Sequence, residues 1–222
     1  MRKRIILLTS GLFFTGLFFV FTFIVRSDIL RQFDFNMTVK IQDNIPEKAY
    51  RYLELIGEFP RFEIITGLII LVLLTFRQWW QMIVVLGLYA GAHLLELVGK
   101  MILSQPPPPF MFYKLLNENN VWFPANYVAE GNSYPSGHSL RAFFFAVLIS
   151  SFIAASKKIP TTLKLLLVPG IGILAGLVAI EKVAMGQHWA TDVIAGGFLG
   201  FGMALISVSM MNFSFRKRRA SS

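Results

Sequence analysis

Apolar residues in this chain come in long unbroken blocks separated by short basic links, unlike the alternation of strands or the one-sided stripe of soluble helices. The first block, residues 5–25, is long enough at about 1.5 Å per residue to cross a hydrocarbon core about 30 Å thick. It follows Arg2, Lys3 and Arg4, is longer than a signal-peptide core and has no small-residue cleavage site after it, so it is expected to be a retained span. Further blocks at 62–76, 82–103, 138–155, 165–180 and 189–213 predict a six-span helix bundle. The second ends on Arg77, Trp79 and Trp80, residues that suit an interfacial belt. Between the first two blocks, Tyr52, Leu53, Ile56 and Phe59 recur at helical spacing and predict an interfacial helix in the first outer loop.

Prolines and glycines punctuate the remainder. Pro106, Pro107, Pro108 and Pro109 end the third block, because proline lacks the amide hydrogen and clashes with the preceding turn. The aromatic, Asn-rich loop 110–134 is expected to cover the polar ends of the spans. Pro169 and Gly170 inside the fifth block are tolerable where neighbouring helices pack. Gly196 and Gly200, four apart, predict a close helix crossing. The fold class is therefore all-α and polytopic, a single integral-membrane domain over 1–222.

Composition agrees: 55% apolar and only 15% charged residues make the bilayer the solvent of this chain. A net charge of +9 could attract nucleic acid, but its placement excludes that partner. Arg2, Lys3, Arg4, Arg77, Lys157, Lys158, Lys164, Arg216, Lys217, Arg218 and Arg219 all fall in links on one predicted side, with no acidic residue among them. This positive-inside pattern places both termini in the cytoplasm of a multi-pass cell-membrane protein, and the Arg216–Arg219 run reads as a topology anchor that touches lipid headgroups. The absence of cysteine excludes a disulfide framework, a thiol nucleophile and a Cys-based metal site.

With that orientation, Lys100, His138, Arg141, Lys182, His188 and Asp192 share one depth near the outer face, although more than ninety positions separate the first from the last. Ionisable groups beside membrane spans mark function by default. His188 and Asp192, four apart, share a helix face, and a carboxylate on one ring nitrogen leaves the other as nucleophile or base. His138 can protonate a leaving oxygen, while Lys100, Lys182, Arg141 and the amides around Ser136 and Gly137 provide an anion cradle. Two histidines, one carboxylate and this cradle suit phosphoryl transfer, which is mostly positioning and charge stabilisation. His93 reads as a helix-packing residue, and Lys100 can also pair with Glu96 one turn before it.

Pro135-Ser136-Gly137-His138 and Gly186-Gln187-His188-Trp189-Ala190-Thr191-Asp192 resemble the second and third signatures, PSGH and SRxxxxxHxxxD, of the type 2 phosphatidic acid phosphatase superfamily. Lys100 and Pro108 match part of its first signature, KxxxxxxRP, and the resemblance covers about 60–212. It implies His188 as the nucleophile that forms a phosphohistidine, Asp192 as its orienting group and His138 as the acid. It further implies that Lys100, Lys182, Ser136 and Gly137 hold the phosphoryl oxygens, with no metal and no cofactor. The implied substrate is a phosphomonoester or diphosphate of a membrane lipid: phosphatidic acid, phosphatidylglycerol phosphate or undecaprenyl diphosphate. Transfer of the headgroup to an alcohol, and lipid binding without catalysis, are alternatives within the fold. Two signature positions differ: Pro107 stands where the first has arginine, and Glu181-Lys182 where the third has Ser-Arg. Arg141, three residues after His138, is expected to replace the missing guanidinium.

Overall fold

The computed structural model describes residues 2–58, 62–75, 77–114 and 132–211, which are helical with no strand. The order is α1 (Arg2–Arg26), α2 (Arg31–Asp43), α3 (Tyr50–Glu58), α4 (Phe62–Thr75), α5 (Trp79–Ile102), α6 (Gly137–Ala155), α7 (Thr161–Ala184) and α8 (Ala190–Met210). Phe59, most of the loop after Tyr113 and the Arg216–Arg219 run lie outside the described residues.

Among the described residues five helices, α1, α5, α6, α7 and α8, are long and apolar enough to cross a membrane. α4 has only 14 residues, about 21 Å of helix, and is not among them. The outer faces of α1 and α7 expose Phe13, Phe19, Phe23, Leu165, Leu166 and Ile173, a distribution that suits lipid and would be costly in water. α7 runs unbroken through Pro169 and past the expected end at residue 180, which puts Lys182 in its last turn.

α8 is the hub because its sequence is small. Gly196 and Gly200 face the Ser136 and Leu140 carbonyls of α6, where a Cβ would collide with backbone. On the opposite side Gly202 meets Gly11 and Thr15 of α1, and Phe14 rests edge-on against Phe201. Helices that gain little from hydrophobicity in lipid are held by such close backbone approach. The two crossings align the start of α6 with the start of α8, and that alignment builds the site.

Between α1 and α4, α3 coincides with the helix predicted from Tyr52, Leu53 and Ile56, and it packs on α7. α2 is not predicted from the sequence, where its apolar residues Phe33, Phe35, Met37, Val39 and Ile41 alternate every second position. Its buried residues are polar, Asp34 and Thr38, and it is held against the ends of α7 and α8.

Candidate active site

The start of α6 is stitched to the start of α8. Ser136 caps α6, its Oγ accepting the Ser139 N–H at 3.4 Å, and its own N–H donates to the Asp192 carbonyl at 3.0 Å. Ser139 Oγ donates to the Val193 carbonyl at 2.6 Å. The Ser136 amide, expected in the anion cradle, is thus committed to structure. The amides of Gly137 and His138 belong to the first turn, whose N–H groups have no intrahelical acceptor.

The turn between α7 and α8 carries His188. It is tight because Gly186 takes φ +70°, and because the Lys182 carbonyl accepts both the Gln187 and His188 N–H groups, at 3.0 and 3.1 Å. Asp192 is fully buried; its Oδ2 accepts the Trp189 N–H at 2.9 Å and lies 3.3 Å from His188 Nδ1. The ring is thereby oriented through Nδ1, with Nε2 as the remaining nitrogen. His188 keeps 15% of its side chain exposed.

Each expected cation has a carboxylate beside it. Lys182, 4% exposed, donates to Gln187 Oε1 at 2.9 Å and pairs with Glu181 at 3.1 Å. The Glu181 carboxylate packs under Gly57 of α3, where any side chain would strike it. Lys100 donates to Glu96 Oε1 at 2.8 Å, and Glu96 Oε2 meets His93 Nδ1 at 2.9 Å. Arg141 donates through Nε to the Gly137 carbonyl at 2.9 Å, lies over the Phe62 ring and is 4.0 Å from Glu63. Gly137 is wedged between the Glu96 carboxylate and the Arg141 guanidinium, leaving no room for a Cβ. His138 sits within the electrostatic reach of Lys182, Arg141, His188 and Lys100. All eight expected residues therefore meet at one end of the bundle.

Sequence reasoning missed Asp34. This carboxylate, 5% exposed, accepts the Thr191 N–H at 2.8 Å and the Thr191 hydroxyl at 2.6 Å, next to Asp192. Burial pushes its carboxyl up to about 6; the Thr191 bonds oppose this and the Asp192 charge adds to it. Nothing in the sequence ties it to a partner 157 positions away. Behind α8, an apolar groove of about 530 Å³ lined by Met37, Val183, Val193 and Phe198 contains none of the site residues.

A family model described as the PAP2 superfamily matches residues 78–216, and the chain belongs to that superfamily. It is 28% identical over 125 residues to phosphatidylglycerophosphatase B of Bacillus subtilis (strain 168), covering 56% of this chain and 55% of that one. It is 29% identical over 102 residues to an Arabidopsis thaliana protein named "Probable lipid phosphate phosphatase beta", covering 38% of this chain and 48% of the relative. The chain thus spans about half the length of these curated relatives. The fold matches the crystal structure of a transmembrane PAP2-type phosphatidylglycerolphosphate phosphatase from Bacillus subtilis, with a TM-score of 0.69 at 19% identity over 89% of this chain and 94% of that one. Together with the five apolar helices, this makes the chain a multi-pass membrane protein.

Proposed function

We propose that the protein is a membrane lipid phosphatase that removes a phosphoryl group from a lipid phosphomonoester or diphosphate through a phosphohistidine. The observation that carries this reading is the His188–Asp192 pair, with Nδ1 beside a buried carboxylate, and His138 within electrostatic reach of His188, Lys182, Arg141 and Lys100. The names of the curated relatives, a phosphatidylglycerophosphatase and a lipid phosphate phosphatase, support the substrate class.

In the first step the Nε2 lone pair of His188 attacks phosphorus, and the bond from phosphorus to the lipid-side oxygen breaks. His138 delivers its proton to that oxygen, so no free alkoxide leaves. In the second step His138, now neutral, takes a proton from water as the water oxygen attacks the phosphohistidine, releasing phosphate and restoring both rings. Lys100, Lys182, Arg141 and the Gly137 amide stabilise the charge that spreads over the phosphoryl oxygens. No metal has a part in this scheme. Lys100 and Lys182 turn from Glu96 and Glu181 to reach the phosphoryl group.

The site faces the outer side of the membrane in this proposal. Arg2, Lys3, Arg4, Lys157, Lys158 and Lys164 lie at the other end of the helices, the end where Arg4 meets the Met211 carbonyl. α4 completes six spans, and α3 lies in the interface with Tyr52 and Leu55 outward.

Phosphate release by purified wild type and His188→Ala in detergent with EDTA tests the reading, across phosphatidic acid, phosphatidylglycerol phosphate and undecaprenyl diphosphate. Release by wild type alone is expected. Failure of folded wild type to release phosphate from all three, or equal release by the variant, would overturn it.

A further inference from the structure

α2 hydrogen-bonds to the ends of α7 and α8 at two points, and the turn that carries His188 lies between them. At one point Asp34 accepts both the amide and the hydroxyl of Thr191, three residues after His188. Two turns further along α2, Gln42 Nε2 donates to the Ala184 carbonyl at 2.9 Å and to the Phe112 carbonyl at 2.7 Å. Ala184 is four residues before His188.

The anchored groups are ones that helix ends leave unsatisfied. Ala184 is the last residue of α7, where carbonyls lack an intrahelical donor, and Thr191 is in the first turn of α8, where amides lack an acceptor. α2 supplies the missing partner on each side. Gln105 Nε2 adds a third hold, donating to Thr191 Oγ1 at 3.1 Å from the proline-rich segment. Between the two anchors the chain has little freedom: Gly186 is in the left-handed region, its would-be Cβ blocked by the Phe112 carbonyl, and the Gln187 and His188 amides both bind Lys182. Eight residues of helix separate Asp34 from Gln42, about 12 Å, so α2 spans the turn as a rigid strut. It lies outside residues 78–216, the part matched to the superfamily.

We infer that α2 braces the His188 turn from both sides, Asp34 holding Thr191 after it and Gln42 holding Ala184 before it, as positioning residues for the histidine. The inference rests on His188 being the nucleophile, as proposed above. Neither residue reaches the phosphoryl group. Their effect is on the placement of Nε2, where a displacement of about 1 Å can cost about 100-fold in rate.

The test uses the full chain in detergent with Asp34→Ala, Gln42→Ala, the double variant, and the isosteric Asp34→Asn and Gln42→Glu. The readouts are kcat and KM for phosphate release from the lipid that wild type prefers, and amide hydrogen exchange over 182–191. Each alanine variant is expected to lower kcat about tenfold with KM within about twofold, the double variant more. Asp34→Asn, which keeps an acceptor for the Thr191 amide, recovers part of the loss. Gln42→Glu, which fills the same volume but cannot donate, recovers none. If an alanine variant does not fold, its isosteric partner alone decides. Unchanged kcat in folded variants, even with lowered thermal stability, would reduce α2 to scaffolding and overturn the inference. Failure of wild type to release phosphate would defeat the proposed function instead. Exchange would then decide about the brace: faster exchange over 182–191 in the Asp34 variants supports it, and unchanged exchange refutes it.

Discussion

His188 Nδ1 lies 3.3 Å from Oδ2 of Asp192, and the same oxygen accepts the Trp189 N–H at 2.9 Å. One buried carboxylate therefore orients the ring and caps α8, which begins just after His188. Asp192→Asn keeps an oxygen for the cap but removes the charge and can face Nδ1 with an amide donor. The expected result is a kcat at least about 100-fold lower with a small change in melting temperature. Near-normal turnover would show that the ring needs no carboxylate.

Arg141 holds the Gly137 carbonyl through Nε, with its fork beside Glu96 and Glu63. In the proposed scheme it takes the place of the arginine of the first signature, where this chain has Pro107. Arg141→Ala should cut phosphate release at least about 100-fold in folded protein, and Arg141→Lys should not restore it, because an ammonium cannot hold a carbonyl and an oxyanion in one planar fork. Activity within a few fold of wild type in the alanine variant would remove Arg141 from the phosphate site.

Gly200 lies against the Leu140 carbonyl, and an added Cβ would meet backbone that cannot yield. Gly200→Ala should destabilise by about 1–3 kcal/mol and lower the melting temperature in detergent. Gly172→Ala in α7, with no neighbour within 4 Å, should leave it unchanged or raise it. Equal effects at the two positions would contradict the close α6–α8 crossing.

Burial raises the Asp34 carboxyl from 3.8 to about 6. The folded protein then holds this proton to higher pH than the unfolded chain. From about pH 4 to about 6 the native state binds more protons, so this group's contribution to stability falls as pH rises and levels off above 6. Asn cannot titrate. The melting temperature of wild type minus that of Asp34→Asn should therefore decrease between pH 4 and 6.5. A difference that is flat or rises over this window would show that Asp34 is not buried in the folded state.

Short-range pattern sets how much of this fold can be read along the chain. The apolar blocks decided the helical membrane fold, Gly196 and Gly200 marked the close crossing, and the four-residue spacing of His188 and Asp192 marked the pair, although His188 sits in the turn before α8 and not on a shared helix face. Charge placement put Lys100, His138 and Lys182 at a common depth, because each lies at the same end of its span.

The remainder follows from contacts between distant segments. Block length could not show that α7 continues to Ala184 and buries Lys182 beside Glu181. The Ser136 amide is committed to Asp192, because the crossing of α6 and α8 leaves no room between them. α2 was illegible for a physical reason. Its place in the fold depends on Asp34 and Gln42 bonding to backbone 157 and 142 positions away, and such bonds leave no helical periodicity in the segment that makes them.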